Sequence, residues 1–191
     1  VFEHINLWLK EYIINEDELN ALISTALDNF HFNTEEYNSL LFSICEATAT
    51  SSLIRSRAVQ LLTSKPEYSL YFTVGDDFIQ GIIDLLITND DGEYEVWDWK
   101  SNIINDNLTE KALSYETQMK LYAYFIYRLA PNQKTFKSKL LFVRQSIGAI
   151  TEEDWTYTFV WTAEELKKFE LELFDLIKEI KNYPFLDLRG Y

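Results

Sequence analysis

Three ionisable side chains stand where the surrounding pattern does not call for them. Asp84 interrupts the apolar run Ile82-Ile83-Asp84-Leu85-Leu86, and a carboxylate in such a run needs a reason to be there. Asp98 and Lys100 lie two positions apart on the next strand-like stretch, so they face the same side of a sheet. The two stretches are joined by Asn89-Asp90-Asp91-Gly92, a hairpin signal, which lets Asp84 and Asp98 project toward one point. Two carboxylates brought together repel unless a proton or a cation sits between them. Clustered carboxylates are the natural ligands of a hard divalent cation such as Mg2+. A lysine beside them softens the repulsion, but only as a single charge. The plainer alternative is a structural ion pair between Asp84 and Lys100 at a strand edge, with Glu93, Glu95, Asp98 and Lys100 as the ordinary charges of a half-exposed strand.

A second group lies further along. Tyr115, Gln118 and Tyr122 are spaced i, i+3, i+7 and share one helical face, while Leu121, Phe125 and Leu129 form an adjoining stripe able to supply core. The tyrosines also read as amphipathic core residues. Gln118 is harder to absorb that way, because a buried amide needs partners.

The elements that must position these residues follow from periodicity. Val1–Ile14 and Asp17–Phe30 read as amphipathic helices, and a third runs from Thr34 to about Ser64, interrupted near Thr48–Ser52. Tyr68–Val74, Phe78–Thr88 and Glu93–Lys100 read as three antiparallel strands. Residues 101–108 are polar and loop-like, and a long helix over Thr109–Leu129 closes at Pro131. Lys137–Gln145 and Trp155–Trp161 are two further strands, and Thr162-Ala163-Glu164-Glu165 has the character of a capping box that opens a helix ending near Asn182. The order is helices, three strands, helix, strand, strand, helix: a mixed α/β domain with a helical N-terminal part over residues 1–66 and a core over 67–191.

Composition sets the outer bounds. The chain of 191 residues is 47% hydrophobic and 25% charged, an ordinary globular balance, with room for one domain. No apolar run reaches the roughly 18 residues of a membrane span, and no basic start leads into an apolar segment, so no membrane partner is expected. The single cysteine, Cys45, excludes internal disulfides, and the expected compartment is the cytoplasm. The chain opens at Val1 inside a helical pattern, which reads as a piece excised from a larger protein. The net charge of −14 argues against a free-standing nucleic-acid binder, which ordinarily carries a basic footprint.

Three segments taken together resemble the RecB/AddA-type nuclease family of the PD-(D/E)xK superfamily. They are Gly81-Ile82-Ile83-Asp84, then Glu95-Val96-Trp97-Asp98-Trp99-Lys100-Ser101, then Tyr115-Glu116-Thr117-Gln118-Met119-Lys120-Leu121-Tyr122. They are similar to that family's G-x-x-D, D-Y-K-T and Y-x-x-Q-x-x-x-Y signatures in order, over about residues 67–125. His4, followed by Leu7, matches the H-x-x-L setting of the histidine that joins the family's metal site, and Glu67 a glutamate before its first strand. The departures are Trp99 for tyrosine, Ser101 for threonine, no glycine-containing segment before His4, and no cysteine quartet for an iron–sulfur cluster, so the likeness is to the members without one.

The resemblance implies a restriction-endonuclease-like core, a mixed β-sheet flanked by helices, and metal-dependent hydrolysis of DNA phosphodiester bonds, as an exonuclease of a helicase-nuclease in repair or recombination. It implies that Asp84, Asp98, His4 and the Trp99 carbonyl hold Mg2+ or Mn2+. Lys100 would position the attacking water or contact the scissile phosphate, with Gln118 and Tyr122 orienting Lys100 or touching the DNA backbone. With so acidic a chain, attached helicase domains or a partner subunit are expected to deliver the strand. The alternative reading is a catalytically inactive scaffold of the same fold, serving protein interaction or DNA threading.

Overall fold

The structure is a computed structural model that describes residues 35–105 and 107–182, with Asp17, Ala21, Ser24 and Thr25 as isolated positions before them. The helices expected over Val1–Ile14 and most of Asp17–Phe30, and His4 with them, lie outside the described residues.

Helix α1 (Glu35–Thr50) is followed by two short helices, α2 (Ser52–Ser56) and α3 (Ala58–Leu62). The expected interruption falls at Ser51, whose hydroxyl caps α2 by accepting from Ile54 N at 3.3 Å. Five strands then form one sheet in the order of the chain: β1 (Lys65–Val74), β2 (Asp77–Thr88), β3 (Tyr94–Lys100), β4 (Thr135–Phe142) and β5 (Thr156–Thr162). β1, β2 and β3 are an antiparallel meander, β3 and β4 run parallel, and β5 returns antiparallel. Parallel neighbours need a long crossover. Here it is α4 (Leu108–Leu113) and α5 (Glu116–Leu129). The turn between β2 and β3 closes at Gly92, which takes φ +83°, with Gly92 N donating to Asn89 O.

Two core layers sandwich the sheet. On one face α5 and α6 (Ala163–Asn182) pack Met119, Tyr122, Phe125, Leu166 and Phe169 against Val96, Leu140 and Phe142. On the other, α1 to α3 pack Cys45, Leu53, Ile54 and Leu61 against Leu85, Trp97 and Leu141. β3 is therefore covered on both sides. Glu95 and Asp98 are 3% and 1% exposed, so the half-exposed strand of charges does not form.

Glu95 finds its partners on the α1–α3 face. It accepts from Trp97 Nε1 at 2.7 Å and pairs with Arg57 at 3.3 Å, which satisfies a buried carboxylate without a site.

Three expectations shift. The long helix divides at Ser114–Tyr115 into α4 and α5, leaving Tyr115 as the residue before α5's first turn. The fourth strand stops at Phe142, whose N–H still reaches Trp155 O at the next position in register with β5, and residues 143–146 then form a 3-10 turn. Leu129 is 43% exposed at the end of α5, so the core stripe ends before it. The capping box forms as read: Thr162 N donates to Glu165 Oε2 at 2.7 Å and Glu165 N to Thr162 Oγ1 at 3.3 Å.

Candidate active site

The β2–β3 ladder runs from Thr88–Tyr94 to Leu85–Trp97 and stops. One step further lie Asp84 and Asp98. Where main-chain pairing ends, the Asp84 carboxylate takes the place of a carbonyl: Trp99 N donates to Asp84 Oδ2 at 2.9 Å. In extended backbone a residue's N–H and C=O point toward the same neighbour. The Trp99 carbonyl therefore faces the same opening as Asp84, past the last ladder pair.

β2 also changes its alternation here. Ile83 belongs to the α5 layer, Leu85 and Ile87 to the α1 layer, and Leu86 to the α5 layer again. A regular strand would put Ile83 and Leu85 on one face. Asp84 stands at this slip and shares the face of Leu86, so ordinary alternation from the β3-paired end sets it opposite Asp98. Across β1 the matching gap, between Pro66–Leu85 and Tyr68–Ile83, belongs to Glu67, which takes φ +46°. A non-glycine residue in that region stores strain of the kind found beside functional sites.

Lys100 does not pair with Asp84. Its Nζ lies 2.6 Å from Asp98 Oδ2 and donates to Gln118 Oε1 at 3.1 Å. Only an oxygen can accept from an ammonium group, so the amide orientation of Gln118 is determined, and its nitrogen faces Asp98 Oδ1 at 3.4 Å and Tyr122 Oη at 3.0 Å. One amide thus ties together β3's acid, β3's base and a helical tyrosine. The partners that a buried glutamine requires are the site residues themselves.

Burial perturbs two of these groups. Desolvation, opposed by the Lys100 contact and reinforced by the charge of Asp84, raises Asp98 from 3.8 to about 6. Desolvation likewise raises the Tyr122 phenol above its ordinary value. A desolvated carboxylate beside a second one fits a hard cation, whose charge would favour the ionised form. Among the described residues no group of three or more His, Cys, Asp or Glu side chains could hold a metal. What is present is Asp84, Asp98 and the Trp99 carbonyl, two carboxylates and one main-chain oxygen. Cys45 offers no alternative nucleophile, because burial pushes its thiol up to about 12.

Three contacts at this site were not read from the sequence. Lys100 Nζ sits 4.5 Å from the centre of the Tyr115 ring, and Lys111 Nζ lies 5.0 Å from the same centre. The Tyr115 hydroxyl donates to Asn102 Oδ1 at 2.8 Å, tying α5's start to the loop after β3. Lys111 and Asn102 carry no sequence signal. Lys111 stands four residues before Tyr115, a spacing visible only once the helix break places the ring between them.

A model of the PD-(D/E)XK nuclease superfamily matches residues 8–190 of the chain. No curated protein matches. Among solved structures, the crystal structure of SSO0001 is matched at 15% identity and a TM-score of 0.31, over 88% of this chain and 84% of that one, a likeness too remote to carry inference.

Proposed function

We propose, on the premise that this chain belongs to the PD-(D/E)XK nuclease superfamily, that it is a divalent-metal-dependent deoxyribonuclease of the RecB/AddA-like kind, working as the nuclease part of a helicase-nuclease. The observation that carries this reading is the Gln118 amide, which joins Lys100, Asp98 and Tyr122 at one point where the β2–β3 ladder opens.

Asp84, Asp98 and the Trp99 carbonyl would hold Mg2+ or Mn2+, with His4 added on the strength of the resemblance. When bound, such an ion supplies a water acidic enough to attack near neutral pH and offsets charge on the phosphate in the transition state. The protein's own groups do the rest. Lys100 spends two of its three N–H donors on Asp98 and Gln118, and the third would serve a phosphate oxygen or the incoming water. Gln118 and Asp98 together fix the position of the lysine head group. Tyr122 accepts from the Gln118 amide, which fixes the amide, and its hydroxyl is available to the DNA backbone. The 17 Lys and Arg are outnumbered by 31 Asp and Glu, so affinity for DNA is assigned to attached helicase domains or a partner subunit.

The test is degradation of linear single- and double-stranded DNA in Mg2+ or Mn2+, with EDTA and Lys100→Ala controls. Metal-dependent cleavage lost in the variant supports the reading. Cleavage that survives Lys100→Ala sinks the assignment of roles, and a protein that neither cleaves nor binds metal is the inactive scaffold instead.

A further inference from the structure

The two faces of the β1–β2 hairpin meet different surroundings. On one, Tyr68, Leu70, Phe72 and Ile79 pack into the layer of α5 and α6. The register sets Ser69 opposite Ile82, Tyr71 opposite Gln80 and Thr73 opposite Phe78, so these side chains share the other face. Helices α1 to α3 cover Leu85 and Ile87 further along β2 and stop short of it, and Ser69, Tyr71, Thr73, Phe78, Gln80 and Ile82 are all exposed.

This is not an ordinary solvated strand face. It carries no charged residue, in a chain of which 25% of residues are charged. Phe78, Tyr71 and Ile82 are 67%, 57% and 50% exposed and follow one another diagonally across the two strands. The rings of Tyr71 and Phe78 stack with centres 5.7 Å apart. A contiguous exposed apolar patch with polar neighbours marks an interaction surface. Nucleic acid does not suit it, because the face offers no cation to a phosphate. Nor does a basic protein, which the field of so acidic a chain would steer to its charged surfaces instead.

What fits is the same face on a second copy. Twisted β faces pack on one another with interdigitating side chains. A twofold axis would bring Tyr71 of each copy to Gln80 of the other, since such a contact is made twice. The polar groups suit that exchange. Gln80 Nε2 donates to Tyr71 Oη at 3.4 Å, which leaves the Tyr71 hydroxyl hydrogen and Gln80 Oε1, one donor and one acceptor, without partners among the described residues. Charge points to the same place: with −14 on each copy, an uncharged face is where two of them meet with least repulsion.

We propose that the chain self-associates through this face, with Phe78, Tyr71 and Ile82 at the centre of a twofold interface. The inference is independent of the nuclease reading, since none of these residues belongs to the catalytic cluster. A standard interface buries about 800 Å2 per partner, and an apolar patch of this kind supplies roughly a few hundred, so the dimer is a weak one.

The experiment is sedimentation velocity of the full chain from about 1 to 300 μM, a range that spans weak dimers, in low and high NaCl. A concentration-dependent dimer is expected, and it tightens with salt, because the Debye length falls from about 10 Å at 0.1 M to about 3 Å at 1 M and screens the repulsion. Tyr71→Ser and Phe78→Ser each weaken it about tenfold, as truncation of a central aromatic does. Both residues are exposed in the single chain, so the variants keep the Tm of dilute wild type. Val160→Ser, at a 54% exposed position on the opposite edge strand, leaves the dimer unchanged. Cys45 is buried, so Gln80→Cys under mild oxidation reports the axis directly, as a disulfide-linked dimer on a non-reducing gel. Wild type that stays monomeric at every concentration and salt overturns the proposal. So does a dimer that high salt dissolves, that both serine variants leave intact, or that Val160→Ser loosens as much as Phe78→Ser.

Discussion

Among single residues, Asp98 carries the largest conflict between burial and charge. It is 1% exposed, neighboured by Asp84, and offset by one lysine. Its carboxyl is held at about 6 against 3.8 in an unstructured chain, so the folded state holds its proton more tightly than the unfolded one. Stability from this group is fully present below pH 4 and is lost as pH rises through about 6. The difference corresponds to roughly 3 kcal/mol at most. Urea unfolding in EDTA is therefore expected to show wild type losing stability relative to Asp98→Asn between pH 4 and pH 7. A difference that does not vary with pH would rule out burial as the cause.

Among elements, the decisive contact is between β2 and α5. Gly81 lies under the Phe125 ring so closely that a Cβ there would come within 2.3 Å of Cε2 and 2.6 Å of Cζ. That is the physical role of the glycine three residues before Asp84: it lets α5 approach the sheet and brings Gln118 within reach of Lys100. Phe125 is packed edge-on against Phe72 at 4.6 Å and lies alongside Tyr122 at 6.4 Å, so it cannot move alone. Gly81→Ala is expected to cost about 1–3 kcal/mol by overpacking and to reduce cleavage by displacing Tyr122 and Gln118. Phe125→Leu in the same chain should restore part of both. Chemical denaturation and cleavage rates of the single and double variants check this, and no rescue would mean that the glycine is required for another reason. The helix break at Ser114–Tyr115 matters equally, since it frees Tyr115 from α5 to sit under two lysines.

At the scale of the whole molecule, a net charge of −14 opposes binding of any polyanion. Cations should therefore do double service, filling the acidic opening and reducing repulsion. A ligand at 100 times its Kd that binds only the folded state contributes about 2.7 kcal/mol. For a domain of this size that is roughly 5–10 °C in Tm. Mg2+ or Mn2+ is expected to raise Tm by that order, and Asp84→Asn with Asp98→Asn to abolish the rise. An equal rise in NaCl of matched ionic strength would show that screening, not a site, is responsible.

Much of this was legible locally. A period-2 pattern, a hairpin turn of short reach and the i, i+4 pair Gln118 and Tyr122 are set by residues within a few positions of each other, so the sequence by itself placed the five strands to within a few residues and singled out Asp84, Asp98, Lys100, Gln118 and Tyr122, whereas the break at Ser114–Tyr115 took Tyr115 out of the helical face. What it left open depends on partners distant in the chain. Whether Lys100 pairs with Asp84 or Asp98 turned on where the ladder stops. Which carboxylate is desolvated turned on the layers that α5 and α1 to α3 lay over β3. The slip beside Asp84, the left-handed Glu67 opposite it and the placing of Lys111 beside Lys100 are likewise tertiary facts, because burial, register and ring contacts are set only when separate elements pack.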